Sequence, residues 1–173
     1  MINLDSDGLL FDWRGYVLAN HFPEMTIEVL NGLDSSARHI LLEDMYRKDP
    51  QLFYKLKPID GAAEFIEFVD GTCERWQVLT SIGDDHYDPE LAKNCKVLSL
   101  QIAFGIPEDR ITVTLRSEDK SKYCTPGSIL VDDYIKNIEA WERAGGFGIL
   151  VGENINWEAT KDAIHVALNP PCA

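Results

Sequence analysis

At 173 residues the chain is long enough for one domain with a small insertion. Its net charge of −13, without any basic run, excludes a nucleic-acid polymer as the main partner, because that contact needs clustered Lys and Arg. A small phosphorylated substrate stays compatible, since a local site can be positive or metal-neutralised inside an acidic protein.

No apolar run reaches the length of a membrane span, so no membrane partner is expected. The first predicted strand begins at Ile2, which leaves no room for a signal peptide and places the expected location in the cytoplasm. Cys73, Cys95, Cys124 and Cys172 show neither CxxC spacing nor a disulfide framework, so reduced thiols are expected.

The chain opens with Met1-Ile2-Asn3-Leu4-Asp5-Ser6-Asp7-Gly8-Leu9-Leu10, a short apolar strand that runs into two aspartates one residue apart. Alternation along an extended chain sends Asp5 and Asp7 to the same side. The glycine lets the backbone turn sharply just beyond. Two carboxylates then stand at the carboxyl edge of a strand, where open α/β sheets bind ligands. A calcium loop fails on spacing: its fifth position would be Leu9 and its twelfth Tyr16, where oxygen ligands are required.

Phe11 to Phe22 is mixed and aromatic. Apolar spacing near three and four predicts helix over 24–48, broken at Asp34-Ser35-Ser36, which also supplies a cap for the second helix. Pro50 and Pro58 bracket a short aromatic segment, and residues 61–69 form an amphipathic helix ended by Gly71. Strands and helices then alternate. Strands are expected at 76–80, 110–114, 128–132 and 147–151, and helices at 89–104, 135–144 and 157–167. That order predicts a three-layer, Rossmann-like α/β fold with a parallel sheet covered on both faces. The helical block, residues 14–58 with its approaches, reads as a small cap inserted after the first strand.

Four strand ends carry polar groups: Asp5 and Asp7, Thr80 and Ser81, Lys122 in the loop before a strand, and Asp132 with Asp133. Taken singly, Thr80-Ser81 also suits a helix cap, Lys122 a solvated loop, and Asp132-Asp133 the cap of the following helix. Together they suit phosphoryl transfer. A carboxylate attacking a phosphate dianion meets a repulsion of about 8 kcal/mol at ~4 Å, for two unit-charge pairs at an effective dielectric near 20. Magnesium held by Asp5, the backbone carbonyl of Asp7 and an acid at 132 or 133 would offset it, and Lys122 would add charge. Thr80 and Ser81 would hydrogen-bond the phosphoryl oxygens. Asp7 would protonate the leaving alkoxide and later take a proton from water.

This order of motifs resembles the haloacid dehalogenase (HAD) superfamily of phosphohydrolases. Asp5-Ser6-Asp7-Gly8 matches its first motif, Val78-Leu79-Thr80-Ser81 the second, Lys122 the third and Ile129 to Asp133 the fourth. A nearer resemblance is to the 5′(3′)-deoxyribonucleotidases, through Asp5 to Trp13 and through Phe53 to Ala62, although Asp60 stands where that family tends to have proline. The resemblance implies an Mg2+-dependent phosphomonoesterase that dephosphorylates a nucleoside monophosphate through an aspartyl-phosphate on Asp5. It further implies that Trp13, Phe53 and Tyr54 line a base pocket, and that Asp133 is favoured over Asp132 as the metal ligand. Another small phosphomonoester would suit the same motifs, and a homodimer through the cap is compatible with them. A phospho-receiver domain fits less well, because there the acid pair and the phospho-accepting Asp lie on different strands.

Overall fold

A computed structural model describes residues 1–169, so Cys172 lies outside the described residues. Among them Cys73, Cys95 and Cys124 are free thiols.

Five strands form one wholly parallel sheet: β1 (Ile2–Leu4), β2 (Trp76–Ser81), β3 (Ile111–Thr114), β4 (Ile129–Asp132) and β5 (Phe147–Leu150). Their order is β3-β2-β1-β4-β5. The chain leaves β1 toward one neighbour, β2, and returns on its other side as β4. The switch point of the topology is therefore the end of β1, and that is where such sheets open a crevice. This is an α/β, Rossmann-type architecture.

The two faces of the sheet follow strand alternation. Ile2, Leu4, Val78, Ile129 and Val131 turn into the larger apolar cluster, with Phe65 and Val69 of helix α5 (Ala62–Thr72), Leu100 of α6 (Pro89–Phe104) and Ile164 of α8 (Trp157–Leu168). Leu79 and Leu130 turn the other way, onto Ile138 and Trp141 of α7 (Ile135–Arg143). The fully buried Trp141 indole N–H donates to the Ser128 carbonyl at 3.0 Å. A polar file runs across the sheet on this second face: Thr112 donates to Gln77, Gln77 to Asn3, and Asn3 to the Ile129 carbonyl. The buried amides are thus satisfied, which removes the cost of placing them in a core.

Four helices lie between β1 and α5: α1 (Trp13–Asn20), α2 (Ile27–Gly32), α3 (Ser35–Lys48) and α4 (Leu52–Lys55). The break expected at Asp34 is present, and Asp34 caps α3 by accepting from Ser36 and Ala37 N–H at 3.0 Å. Helix α5 runs through Gly71, one residue beyond the expected stop, because Cys73 N–H still bonds to the Val69 carbonyl.

Asp49, at the end of α3, fastens α1 and α4 to it. It accepts from the Tyr16 hydroxyl at 2.9 Å and the Lys55 ammonium at 2.6 Å, and His21 Nε2 lies 3.3 Å away. Burial opposes its charge, but these partners hold its carboxyl below the usual carboxylate range. A depressed pKa stabilises the fold above the ordinary value near 3.9, and that contribution is lost as pH falls through the folded value. Asp49→Ala is therefore expected to lose about 1–3 kcal/mol at neutral pH. The gap to wild type should close below about pH 4. Urea unfolding across that range measures it, and a gap that stays constant into acid would contradict this role.

Candidate active site

The strand ends converge as the topology requires. Asp5 directly follows β1, and its N–H continues the ladder to the Val131 carbonyl at 2.9 Å. The chain then makes a tight loop in which Leu10 and Phe11 N–H both bond to the Ser6 carbonyl and Gly8 N–H bonds to Phe11. Gly8 sits at φ +80°, and a Cβ there would lie 2.0 Å from Oδ2 of Asp133. Position 8 is thus glycine for two reasons: the backbone is left-handed, and the neighbouring carboxylate occupies the space a side chain would need.

One oxygen from each of Asp5, Asp132 and Asp133 lies within 4.8 Å of the others. Lys120, 2% exposed at its side chain, bridges two of them, with Nζ 2.8 Å from Asp5 Oδ1 and 2.7 Å from Asp132 Oδ2. Asp132 also accepts from Tyr134 N–H at 2.8 Å and Asn137 Nδ2 at 2.9 Å. Burial works against the lysine charge, yet the two aspartates hold Lys120 above the ordinary lysine range. Asp133 is pushed up to about 7, first by burial and then by the charges of Asp5 and Asp132, with Arg14 opposing. The Arg14 guanidinium lies 2.6 Å from Asp133 and 3.4 Å from Glu153.

Asp7 faces a different partner. Its Oδ2 lies 2.6 Å from Nζ of Lys96, which also donates to the Thr80 hydroxyl at 3.0 Å and sits 4.2 Å from the Phe53 ring centroid. Lys96 is 1% exposed. Burial raises the Asp7 pKa, and the charge of Asp5 adds to that against Lys96. Its second oxygen, Oδ1, is buried without a partner.

Several expected residues are therefore brought together and others are not. Asp5, Asp7, Thr80, Asp132 and Asp133 gather at the end of β1, and Ser81 ends β2 half-buried beside them. Lys122 does not join them. Its side chain is 75% exposed and pairs with Asp119 in the same short 3-10 turn, Ser117–Tyr123. The lysine that reaches the carboxylates is Lys120. A 3-10 turn repeats every three residues, so two residues along it the side chain points elsewhere. The Asp7 carboxylate is turned to Lys96 and lies outside the three-carboxylate cluster.

The expected base-stacking aromatics separate as well. Phe53 is buried against Lys96, Tyr46 and His86, whereas Tyr54 is 52% exposed. Trp13 is half-buried and meets the Tyr46 hydroxyl. Lys96 was not anticipated from the sequence, although a signal for it exists. It lies four residues from both Ala92 and Leu100, on the apolar stripe of α6, where a lysine needs an internal partner.

The donor set suits a hard divalent cation. Three carboxylates converge closely enough to share one cation, and carboxylate oxygens are hard ligands. Asp5, Asp132 and Asp133 are the residues that would hold Mg2+.

No protein-family model and no curated protein sequence matches the chain. Solved structures do match its fold. A HAD hydrolase of family IA, variant 3, from Entamoeba histolytica superposes with a TM-score of 0.56 at 15% identity, over 88% of this chain and 84% of that one. An L-2-haloacid dehalogenase gives 0.55 at 13%, over 90% and 86%. A HAD-superfamily hydrolase from Ehrlichia chaffeensis gives 0.52 at 14%, over 97% of each chain. The chain therefore has a HAD-like fold.

The two lysines of the 3-10 turn can be told apart by stability. Lys120→Met should cost about 3–5 kcal/mol, because it strands two buried carboxylates. Lys122→Ala should leave the unfolding midpoint unchanged. Chemical denaturation of both variants tests the assignment, and equal effects would contradict it.

Proposed function

We propose that the protein is an Mg2+-dependent phosphomonoesterase of the HAD type. The observation that carries this reading is Asp5, set among Lys120, Asp132 and Asp133, with Asp7 two residues on. Both recorded Asp5 contacts, Lys120 at 2.8 Å and Ser6 N–H at 2.6 Å, fall on Oδ1, so Oδ2 is the oxygen presented for attack.

In the reaction, Asp5 Oδ2 forms a bond to phosphorus as the bond from phosphorus to the ester oxygen breaks. Asp7, whose elevated pKa favours the protonated form, gives its proton to the departing alkoxide. Water then attacks the aspartyl-phosphate and Asp7 takes its proton back. Inorganic phosphate leaves, and Asp5 is a free carboxylate again. Lys120 and Lys96 supply positive charge on two sides of the phosphoryl oxygens, and Thr80 and Ser81 supply hydrogen bonds. Magnesium at Asp5, Asp132 and Asp133 would contribute further charge stabilisation.

Dehalogenation is the other chemistry found on this fold, and it fits these residues less well. A halide departs without needing a proton, so Asp7 would have no leaving group to protonate there.

For the leaving group we propose a nucleoside, on the resemblance carried by Asp5 to Trp13. Trp13 is the aromatic available at the edge of the site, since Phe53 is packed inward and Tyr54 faces solvent. A cleft of about 240 Å³ beside Gly8 and Arg14, lined also by Leu18, Ile27 and Ile59, gives the substrate an approach.

The test is phosphate release from 5′- and 3′-deoxynucleotides, ribonucleotides, sugar phosphates, phenyl phosphate and p-nitrophenyl phosphate, with and without Mg2+. Chloride release from 2-chloropropionate completes the panel. Metal-dependent phosphate release is expected, highest on deoxynucleoside monophosphates. Asp5→Asn should reduce it to background, and Asp7→Asn by about 10²–10⁴-fold. Full activity in Asp5→Asn would overturn the mechanism, and chloride release alone would overturn the reaction class.

A further inference from the structure

Among the described residues, three buried side-chain polar atoms lack a hydrogen-bond partner: Asp7 Oδ1, Arg38 Nε and His86 Nε2. The Tyr46 ring lies 4.6 Å from that of His86. Buried groups of this kind are nearly always paired in folded proteins, so each asks for a reason.

His86 is the most sharply defined of them. It is 5% exposed and packed against Tyr46, Phe53 and Tyr87. Asp88 N–H donates to its Nδ1 at 3.3 Å. Nδ1 is therefore the lone-pair nitrogen, and in the neutral ring the proton sits on Nε2. Burial lowers the His86 pKa and favours that neutral form. The unpartnered atom is thus an N–H donor held in an apolar setting. Phe53 joins it to the catalytic groups: His86 stacks on the Phe53 ring at 6.0 Å, and Lys96, the partner of Asp7, lies 4.2 Å from the same ring.

We infer that His86 contacts the substrate, donating from Nε2 to an acceptor on the leaving alcohol of the phosphomonoester. This rests on the phosphomonoesterase reading. Asp7 Oδ1 then meets the ester oxygen, and His86 meets a carbonyl or ring acceptor several bonds further out. The favoured substrate class is an alcohol with such an acceptor, as on a nucleobase, and a plain hydrocarbon alcohol is disfavoured. A site that hydrogen-bonds its substrate discriminates well against analogues that lack the acceptor, because its own group is then left buried and unpaired.

The experiment compares wild type with His86→Phe and His86→Gln on thymidine 5′-monophosphate and on phenyl phosphate, which has no acceptor beyond its phosphate. His86→Phe keeps the stacking and removes the donor. It should lose about tenfold or more in kcat/KM on the nucleotide, mainly through KM, with phenyl phosphate unchanged. His86→Gln carries an N–H and should recover part of the loss. The melting temperature of His86→Phe should equal or exceed that of wild type, because an unpaired buried donor has been removed. Equal losses on both substrates, or no loss on either, would overturn the inference. So would a lowered melting temperature, which would mark His86 as a packing residue. Absence of turnover by wild type on every phosphomonoester would overturn the function itself, and the melting comparison would still judge His86 separately.

Discussion

The ammonium of Lys120 is the contact on which the rest of the site depends. Four carboxylates converge at the end of β1, and two of them, Asp5 and Asp132, are almost wholly withdrawn from water. Without a buried cation between them, ionised carboxylates at that distance could not coexist in one folded state. Lys120 touches both, and Tyr134 N–H and Asn137 occupy further lone pairs of Asp132. Asp5 is left with one oxygen committed and one presented. In the proposed reaction the presented oxygen is the one that attacks.

The second lysine divides the labour. Lys96 reaches the site from α6 and attends Asp7 and Thr80, while Lys120 attends the carboxylates on the side of β4. The environments of Asp5 and Asp7 are consequently different although the residues stand two apart. Asp5 lies directly against a lysine and a backbone N–H. Asp7 has one oxygen on a lysine and the other buried with nothing to bond. In the proposed reaction these separate environments suit one carboxylate to nucleophilic attack and its neighbour to proton transfer.

Most of the fold was legible in the sequence because it depends on periodicity and punctuation. β-rich runs ending in acid or hydroxyl, helices ending at Gly105 or starting at Asp34 and Pro89, and the long insertion before β2 all have short-range signals. The motif aspartates and Thr80 were legible for the same reason, being fixed to strand ends. The lysines were not. A lysine spans several bonds, and its destination depends on the turn that carries it. In the turn 117–123 the choice between Lys120 and Lys122 is a matter of rotation about a 3-10 axis, which loop composition does not encode. Phe53 and Tyr54 pose the same problem: adjacent residues on a four-residue helix point to different places, one to the core and one to solvent.

Charge balance connects substrate binding to this geometry. Asp5, Asp7, Asp132 and Asp133, fully ionised, carry four negative charges, against three positive ones on Lys96, Lys120 and Arg14. The site is then negative by one; burial first, and then the charges of Asp5 and Asp132, raise the Asp133 pKa to about 7. With Asp7 protonated, as the proposed reaction has it, the balance is zero and a phosphate dianion finds no net attraction; a divalent cation at the three clustered carboxylates would turn the balance to plus two. In the proposed reaction a metal at these carboxylates would therefore favour substrate binding for an electrostatic reason, within a chain whose net charge is −13. The polarity that matters is set within a few ångströms of Asp5, where the buried lysines and the switch point of the sheet coincide.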